Sequence, residues 1–166
     1  NLKNLIQCLV DTARTATPVM LILSICIVFG RVLTILNIPQ NLASFVVSHV
    51  SSKIVVLLTL NAFLLFAGMI MDTVPCILIL APIMLPIVQQ YGVDTVHFGV
   101  MMTVNLAIGF VTPPIGTNLF VANSLTKIPI TRIAKNALPF IAMFIFALLL
   151  ITYVPAFSLF LPNMMG

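Results

Sequence analysis

Long apolar stretches separated by short polar segments dominate the chain. Three of them are at least as long as the roughly 20 residues that a helix needs to cross a bilayer: residues 16–36, 95–126 and 137–161. The first carries one charge, Arg31, which can snorkel to the membrane surface or pair inside protein. The pattern predicts transmembrane helices over 16–36 and 137–161, and a middle segment that is long enough to cross but is interrupted.

The region between the first and the middle apolar stretch consists of two segments. Residues 37–53 begin with turn-forming residues and hold too few apolar ones for a crossing, which predicts a short segment at the membrane surface. Residues 54–91 form two apolar arms around Asp72, each marginal in length, and prolines interrupt the second. Two full crossings or one re-entrant hairpin are both consistent with the charges, and the short arms and prolines favour the hairpin.

Two interruptions fall inside apolar sequence. The first is GMIMDTVP at Gly68–Pro75, and the second is GFVTPPIGTN at Gly109–Asn118. Pro113 and Pro114 supply no N–H to the preceding turn, so the second interruption predicts a discontinuous helix over 95–126. In hydrocarbon, an unpaired backbone group costs several kcal/mol. Such breaks therefore survive only inside protein or beside a water-filled cavity.

Composition and charge restrict the class of protein. The chain is 61% hydrophobic and 6% charged, which excludes a soluble domain and predicts a chain surrounded by lipid. Its seven Lys and Arg are scattered singly, so the pI of about 9.3 does not indicate nucleic-acid binding. Lys and Arg collect in an amphipathic arm, 1–15, and in a basic segment, 127–136, which predicts that both are cytoplasmic and that 37–53 is periplasmic. The absence of catalytic motifs predicts that the chain is not an enzyme.

Both breaks collect groups that can bind ions. Freed carbonyls at a helix C-terminus suit a small cation, whereas the N-terminus of the next helix suits a carboxylate or phosphate. Asp72 is either one wall of a cation site or, with Thr73, a cap for the second arm. Asn105 is either a ligand or an interhelical contact. Three further polar side chains flank the proline pair and either ligate or cap: Thr112, Thr117 and Asn118.

Other polar residues have simpler readings. Asp94 precedes His97 by three residues in GVDTVHFG, which predicts an N-cap for the helix that follows rather than a proton relay. Asn61 lies within an apolar arm, where a buried amide is typical of contact between helices.

Several of these segments resemble those of a known family. The chain resembles the C-terminal half of the large membrane subunit of TRAP transporters, the DctM-type permeases, from about Thr12 to Pro162. The most specific matching pieces are G-x-x-x-D-x-x-P at Gly68, Asp72 and Pro75, P-x-x-x-P at Pro82 and Pro86, G-V-D-x-V-H-F-G from Gly92 to Gly99, and G-x-x-T-P-P-x-G from Gly109 to Gly116.

The resemblance implies an all-α integral membrane fold, namely one of the two inverted repeats of an elevator-type secondary transporter. Each repeat of that family has a re-entrant hairpin and a discontinuous helix. The implied activity is Na⁺-coupled import of an organic acid, such as a C4-dicarboxylate or a sugar acid, across the bacterial inner membrane. The implied partners are a periplasmic solute-binding protein, a small membrane subunit and an N-terminal half of the permease, because the chain opens at Asn1 without Met and matches one repeat only.

Carried over residue by residue, the two breaks would form a sodium site and half of a substrate pocket. The implied Na⁺ ligands are Gly68, Asp72, Thr73, Gly109, Thr112 and Pro113. The implied substrate-binding residues are Asn105, Pro114, Gly116, Thr117 and Asn118. Two alternatives stay open: a Na⁺-coupled dicarboxylate or citrate carrier without a binding protein, and a non-transporting membrane subunit of a larger complex.

Overall fold

A computed structural model describes residues 2–113 and 115–165 of the protein. Within these residues the chain forms eight helices: α1 (Leu2–Ile35), α2 (Ile38–His49), α3 (Lys53–Ile70), α4 (Thr73–Gln90), α5 (Thr95–Gly109), α6 (Thr117–Thr126), α7 (Ile130–Tyr153) and α8 (Ala156–Met165). The described part contains no strand.

Helix α1 is one continuous helix of 34 residues. At 1.5 Å per residue it is about 51 Å long, whereas the hydrocarbon core of a bilayer is about 30 Å thick. It covers residues 2–15 of the predicted arm and residues 16–35 of the predicted membrane segment, with no turn between them. Its contact with α4 passes through Gly30, where a Cβ atom would lie 3.2 Å from the carbonyl oxygen of Leu78. Most of its other apolar side chains are exposed on the surface of the chain.

Helix α2 occupies most of the predicted surface segment, 37–53. It begins after Asn37, whose left-handed backbone (φ 53°) turns the chain sharply away from α1. Pro39 and Ala43 are buried where α2 packs against α4. The segment that appeared too polar for a crossing is therefore helical and covers one side of α4.

Helices α3 and α4 have 18 residues each and meet at Met71 and Asp72. Their distant ends lie close together, because the ammonium group of Lys53 donates to the carbonyl oxygen of Gly92 at 3.3 Å. The start of α3 and the end of α4 therefore lie at the same level, and each helix is about 27 Å long. They pack mainly on different neighbours, α3 along α5 and α4 against α1 and α2.

Helix α5 starts at the same level as α3 and runs parallel to it. The carboxylate of Asp94 accepts hydrogen bonds from the backbone N–H groups of Val96 and His97, at 2.7 and 3.2 Å, so the predicted N-cap is confirmed. The helix has 15 residues and is about 22 Å long, shorter than the hydrocarbon core. Helical structure stops at Gly109 and resumes at Thr117.

Helix α7 begins at Ile130, inside the predicted basic segment, and ends at Tyr153. It packs against α5 and α6, and its end lies beside the start of α3, where the hydroxyl group of Tyr153 donates to the carbonyl oxygen of Ile54 at 3.5 Å. The packed centre of the described chain lies between α3 and α5, where the following residues are nearly inaccessible: Leu57, Leu64, Phe98, Met101, Met102 and Leu106.

Four helices of the described chain are long and apolar enough to cross a membrane: α1, α3, α4 and α7. Large apolar side chains cover most of their outward faces. The prediction of an all-α, multi-pass membrane protein is confirmed. The re-entrant character of 54–91 stays a prediction, because the helix lengths alone allow a full crossing.

Labelling can test the arrangement of these ends. In the full-length protein with its native cysteines replaced, we expect cysteines at positions 53 and 94 to react with a membrane-impermeant maleimide from the same, periplasmic, side. A cysteine at position 132 should react from the other side. Labelling of position 72 from the cytoplasm under all conditions would contradict a re-entrant hairpin and favour two full crossings.

Candidate functional site

The C-terminal ends of α3 and α5 touch through their backbones. A Cβ atom on Gly109 would lie 2.6 Å from the carbonyl carbon of Gly68, and one on Gly68 would lie 3.0 Å from the carbonyl oxygen of Leu106. The position at Gly109 leaves no room for a side chain, because real Cβ atoms essentially never come within 3.0 Å of backbone atoms, and at Gly68 a Cβ atom would fit only if its neighbour shifted by a few tenths of an ångström. Two glycines in facing positions therefore allow the two helix ends to meet.

The same contact joins the two sequence interruptions into one site. The N–H group of Gly116, just before α6, donates to the carbonyl oxygen of Met69, in the last turn of α3, at 3.3 Å. The N–H group of Asn118 donates to the carbonyl oxygen of Phe110 at 3.2 Å, which folds the start of α6 back on the end of α5. Two helix C-termini and two helix N-termini thus converge on one region.

The backbone oxygens at this region differ in whether they accept hydrogen bonds. The carbonyl oxygens of Ile108, Gly109 and Phe110 accept hydrogen bonds inside the break. Within the described residues, those of Gly68 and Ile70 accept none. Pro114, which lies outside the described residues, has no N–H group to offer them. Unpaired carbonyl oxygens at the C-terminal end of a helix such as α3, where the helix dipole is negative, are suited to a cation.

Side-chain oxygens supplement these carbonyls. Thr112 is partly buried, and its hydroxyl group donates to the carbonyl oxygen of Ile108 at 2.7 Å, which leaves its lone pairs free to coordinate. Asp72 is exposed and precedes α4, but its carboxylate makes no capping hydrogen bond, so it too is free to coordinate. Thr73, the first residue of α4, is partly buried beside it.

The N-terminus of α6 presents the opposite polarity. Gly116 precedes it with a left-handed backbone (φ 48°), and a Cβ atom there would lie 2.9 Å from the carbonyl oxygen of Thr112. Thr117 and Asn118 are exposed in the first turn of α6, and Pro113 is partly buried in the loop before it. Exposed N-terminal turns of this kind attract anions.

Asn105 lies away from this region. It is fully buried, and its amide nitrogen donates to the carbonyl oxygen and the side-chain oxygen of Asn61 at 2.9 and 2.8 Å. The structure therefore joins the two breaks at Gly68, Gly109 and Gly116, whereas Asn105 faces α3 one turn earlier. The other predicted site residues of the breaks lie within five residues of these contacts along the chain: Asp72, Thr73, Thr112, Pro113, Thr117 and Asn118.

Sequence reasoning missed the backbone of Met69 and Ile70 and the hydroxyl group of Thr152. The first two act through carbonyl oxygens, which every residue has, so no residue type could have singled them out. Thr152 is buried near the end of α7 and accepts a hydrogen bond from Asn61 at 3.0 Å. A hydroxyl residue in an apolar helix indicates a hydrogen bond to another helix, but the sequence does not show which one, because the partner is 91 residues away.

The fold and the site define a multi-pass, all-α membrane protein with two joined helix breaks. Residues 1–157 match the family described as "Tripartite ATP-independent periplasmic transporter, DctM component". The chain is 45% identical, over 93% of its length, to the isethionate TRAP transporter permease protein DctMQ of Oleidesulfovibrio alaskensis. It is 40% identical, over 95% of its length, to the C4-dicarboxylate TRAP transporter large permease protein DctM of Pseudomonas aeruginosa. Identity to the protein of the same name from Rhodobacter capsulatus is 36%, over 99% of the chain.

The chain therefore belongs to the DctM family of TRAP transporter large permeases. It spans 24%, 37% and 38%, respectively, of the lengths of these three relatives. The relatives are named as permeases, and the prediction that the protein is not an enzyme is confirmed.

Alanine substitutions test the glycine contact. We expect Gly109→Ala to lower the free energy of unfolding of the complete permease by roughly 1–3 kcal/mol, because its methyl group would overlap the backbone of Gly68. Gly99→Ala is the matched control on the same helix, where a Cβ atom meets nothing within 4 Å. It should be neutral or stabilising by up to about 1 kcal/mol. Equal thermal unfolding midpoints for the two variants would contradict the close contact.

Proposed function

We propose that this segment supplies one sodium site and half of the substrate pocket of a permease that imports an organic anion. The proposal rests on one observation, the joining of two interrupted helices through Gly116 and Met69 beside the glycine contact. A pair of discontinuous helices within the membrane is the arrangement by which secondary transporters bind substrate and coupling ion.

The chemistry of the oxygens favours Na⁺ as the coupling ion. Carbonyl, hydroxyl and carboxylate oxygens suit a hard cation rather than a soft metal. Asp72 is the only acidic residue among the candidate ligands, and the other groups are neutral oxygens, as at Gly68 and Thr112. One negative charge balances a monovalent ion more closely than a divalent one.

The substrate is proposed to be an anion because the start of α6 lies beside the cation site. Its exposed first turn carries the polar side chains of Thr117 and Asn118 at the positive end of the helix dipole, which attracts anions. A bound Na⁺ nearby would add a positive charge, which raises the affinity for an anion and so couples the two binding events. Two relatives are named for isethionate and for C4-dicarboxylates, which are organic anions.

The remaining parts of the transporter lie outside the chain. We propose that the rest of the permease supplies the other half of the pocket, in the inner membrane of a bacterium. A periplasmic solute-binding protein would deliver the substrate, and a small membrane subunit would complete the assembly. The tripartite description of the family supports this composition. The matching test is uptake by proteoliposomes that contain all three proteins, in which replacing external Na⁺ by K⁺ should abolish import.

Replacing Thr112 tests the sodium site directly. In the complete permease, we expect Thr112→Val to raise the half-saturating Na⁺ concentration about tenfold, which corresponds to the loss of about 1.4 kcal/mol of ion binding. The matched control is Thr103→Val, since the hydroxyl group of Thr103 on α5 donates to the carbonyl oxygen of Gly99 as that of Thr112, just after α5, donates to the carbonyl oxygen of Ile108. The measurement is Na⁺-dependent thermal stabilisation of purified protein. Identical sodium titrations of the two variants would refute the assignment of Thr112.

Replacing the acids tests the role of charge. Asp72→Asn keeps the shape of the side chain and should weaken Na⁺ binding about tenfold or more while membrane abundance stays near that of the parent protein. Asp94→Asn is the control, because Asn retains much of the capping ability that Asp94 uses at α5. Poor membrane insertion of Asp72→Asn with a normal sodium titration would assign Asp72 to folding instead.

A further inference from the structure

A chain of buried hydrogen bonds links α5, α3 and α7. The amide nitrogen of Asn105 donates to Asn61, the amide nitrogen of Asn61 donates to the hydroxyl oxygen of Thr152 at 3.0 Å, and that hydroxyl donates to the carbonyl oxygen of Leu148 at 2.7 Å. All three side chains are buried, Asn105 and Thr152 almost completely. We call this set, Asn105, Asn61 and Thr152, the amide relay.

The direction of every bond in the amide relay follows from its last member. A carbonyl oxygen such as that of Leu148 can only accept, so the hydroxyl group of Thr152 must donate to it. The Thr152 oxygen then accepts from the nitrogen of Asn61, and the side-chain oxygen of Asn61 is left to face Asn105. Asn105 must therefore present its nitrogen. The hydrogen bonds thus determine which side-chain atom of Asn61 and of Asn105 is the nitrogen and which is the oxygen.

This orientation leaves one acceptor without a partner. Among the described residues, the side-chain oxygen of Asn105 is the one buried side-chain polar atom that makes no hydrogen bond. An unmade buried hydrogen bond is destabilising, and a pair of apolar side chains at these two positions would avoid the loss. Stability alone therefore does not account for a polar pair at Asn61 and Asn105.

Geometric register offers a physical reason for the pair. Asn61 and Gly68 lie seven residues apart on α3, and Asn105 and Gly109 lie four apart on α5. The interface around them is apolar, with Leu64, Met101 and Leu106 buried in it. Apolar contacts between parallel helices tolerate sliding, whereas a buried amide that must meet a specific partner selects one register, as a buried Asn does in coiled coils.

We propose that the amide relay sets the axial register of α3 against α5, and so places the oxygens at the ends of these helices, including the unpaired carbonyl oxygens of Gly68 and Ile70 on α3, where they bind the cation. The three residues are positioning residues, since none touches the break. A shift of one residue would move one helix end by about 1.5 Å relative to the other, which is more than half of a metal–oxygen distance. The inference rests on the proposed sodium site and names the residues that hold its shape.

Thr152 anchors the amide relay to the last membrane helix. Its carbonyl oxygen also accepts a hydrogen bond from the Nε2 atom of His97, at 3.2 Å, near the start of α5. Because a carbonyl only accepts, His97 carries its proton on Nε2, and in the neutral ring Nδ1 accepts from the hydroxyl group of Ser158. The end of α7 therefore binds α3 through Asn61 and α5 through His97, so both helices are positioned by the same residue, Thr152.

The first experiment compares two substitutions at the end of the relay that is remote from the break. In the complete permease, Thr152→Val removes the hydroxyl group at nearly constant volume, whereas Thr152→Ser keeps it. We expect Thr152→Val to raise the half-saturating Na⁺ concentration about three- to tenfold and to reduce the preference for Na⁺ over Li⁺. Thr152→Ser should match the parent protein in both respects. Unchanged sodium affinity and selectivity in Thr152→Val would overturn the proposal, even if its unfolding midpoint falls.

A second variant covers the case in which Thr152→Val does not fold. The double substitution Asn61→Leu with Asn105→Leu removes both amides, so neither is left unpaired, and we expect an unfolding midpoint equal to or above that of the parent. Under the proposal the same protein still binds Na⁺ about three- to tenfold more weakly and discriminates less against Li⁺. Restored stability together with parental sodium binding would show that the amides serve packing alone.

Thr112→Val separates this inference from the proposed function. If Thr112→Val weakens sodium binding and the relay variants do not, the sodium site stands and the register role is refuted. If neither Thr112→Val nor the relay variants change the sodium titration, the site itself is misplaced and both proposals fail.

Discussion

The backbone contact between Gly68 and Gly109 is the constraint on which the rest of the site depends. Two helices that end in mid-sequence approach closely enough for their last turns to touch, because neither carries a Cβ atom there. Their neighbours Met69 and Gly116 then form a hydrogen bond across the contact. A larger residue at either glycine would separate the helix ends, and the oxygens that converge on this region would no longer do so.

The surrounding lipid explains why the two interrupted helices must make such a contact. In lipid, a chain that leaves the helical conformation must pair its freed backbone groups within protein, and Gly116 and Asn118 do so by donating to Met69 and Phe110. The carbonyl oxygens of Gly68 and Ile70 accept nothing from the described chain. The joined breaks thus pair some of their backbone groups and leave these two carbonyl oxygens without a donor. Carbonyl oxygens of this kind can replace the water molecules around a cation.

The distribution of polarity is inverted relative to a soluble protein. Apolar side chains cover the outside of α1, α3 and α7, while Asn61, Asn105, Thr152 and His97 are buried and bonded between helices. Between helices in lipid, apolar burial supplies little driving force, so close packing and interhelical hydrogen bonds specify the arrangement. The glycine contact and the amide relay are these two devices, and both act on the same pair of helices, α3 and α5.

The sequence alone determined the features that depend on neighbouring residues. Asp94 caps α5 because its carboxylate reaches N–H groups two and three residues ahead, and helical structure stops near Pro113 because proline lacks an N–H group. Hydropathy likewise indicated a multi-pass membrane protein. Only the tertiary structure decided that α1 is continuous, that Gly116 bonds to Met69, and that Asn105 faces Asn61 rather than the break. The last two features depend on which helix faces lie together and in which register, and residues 44 to 91 positions apart carry no local signal of that choice.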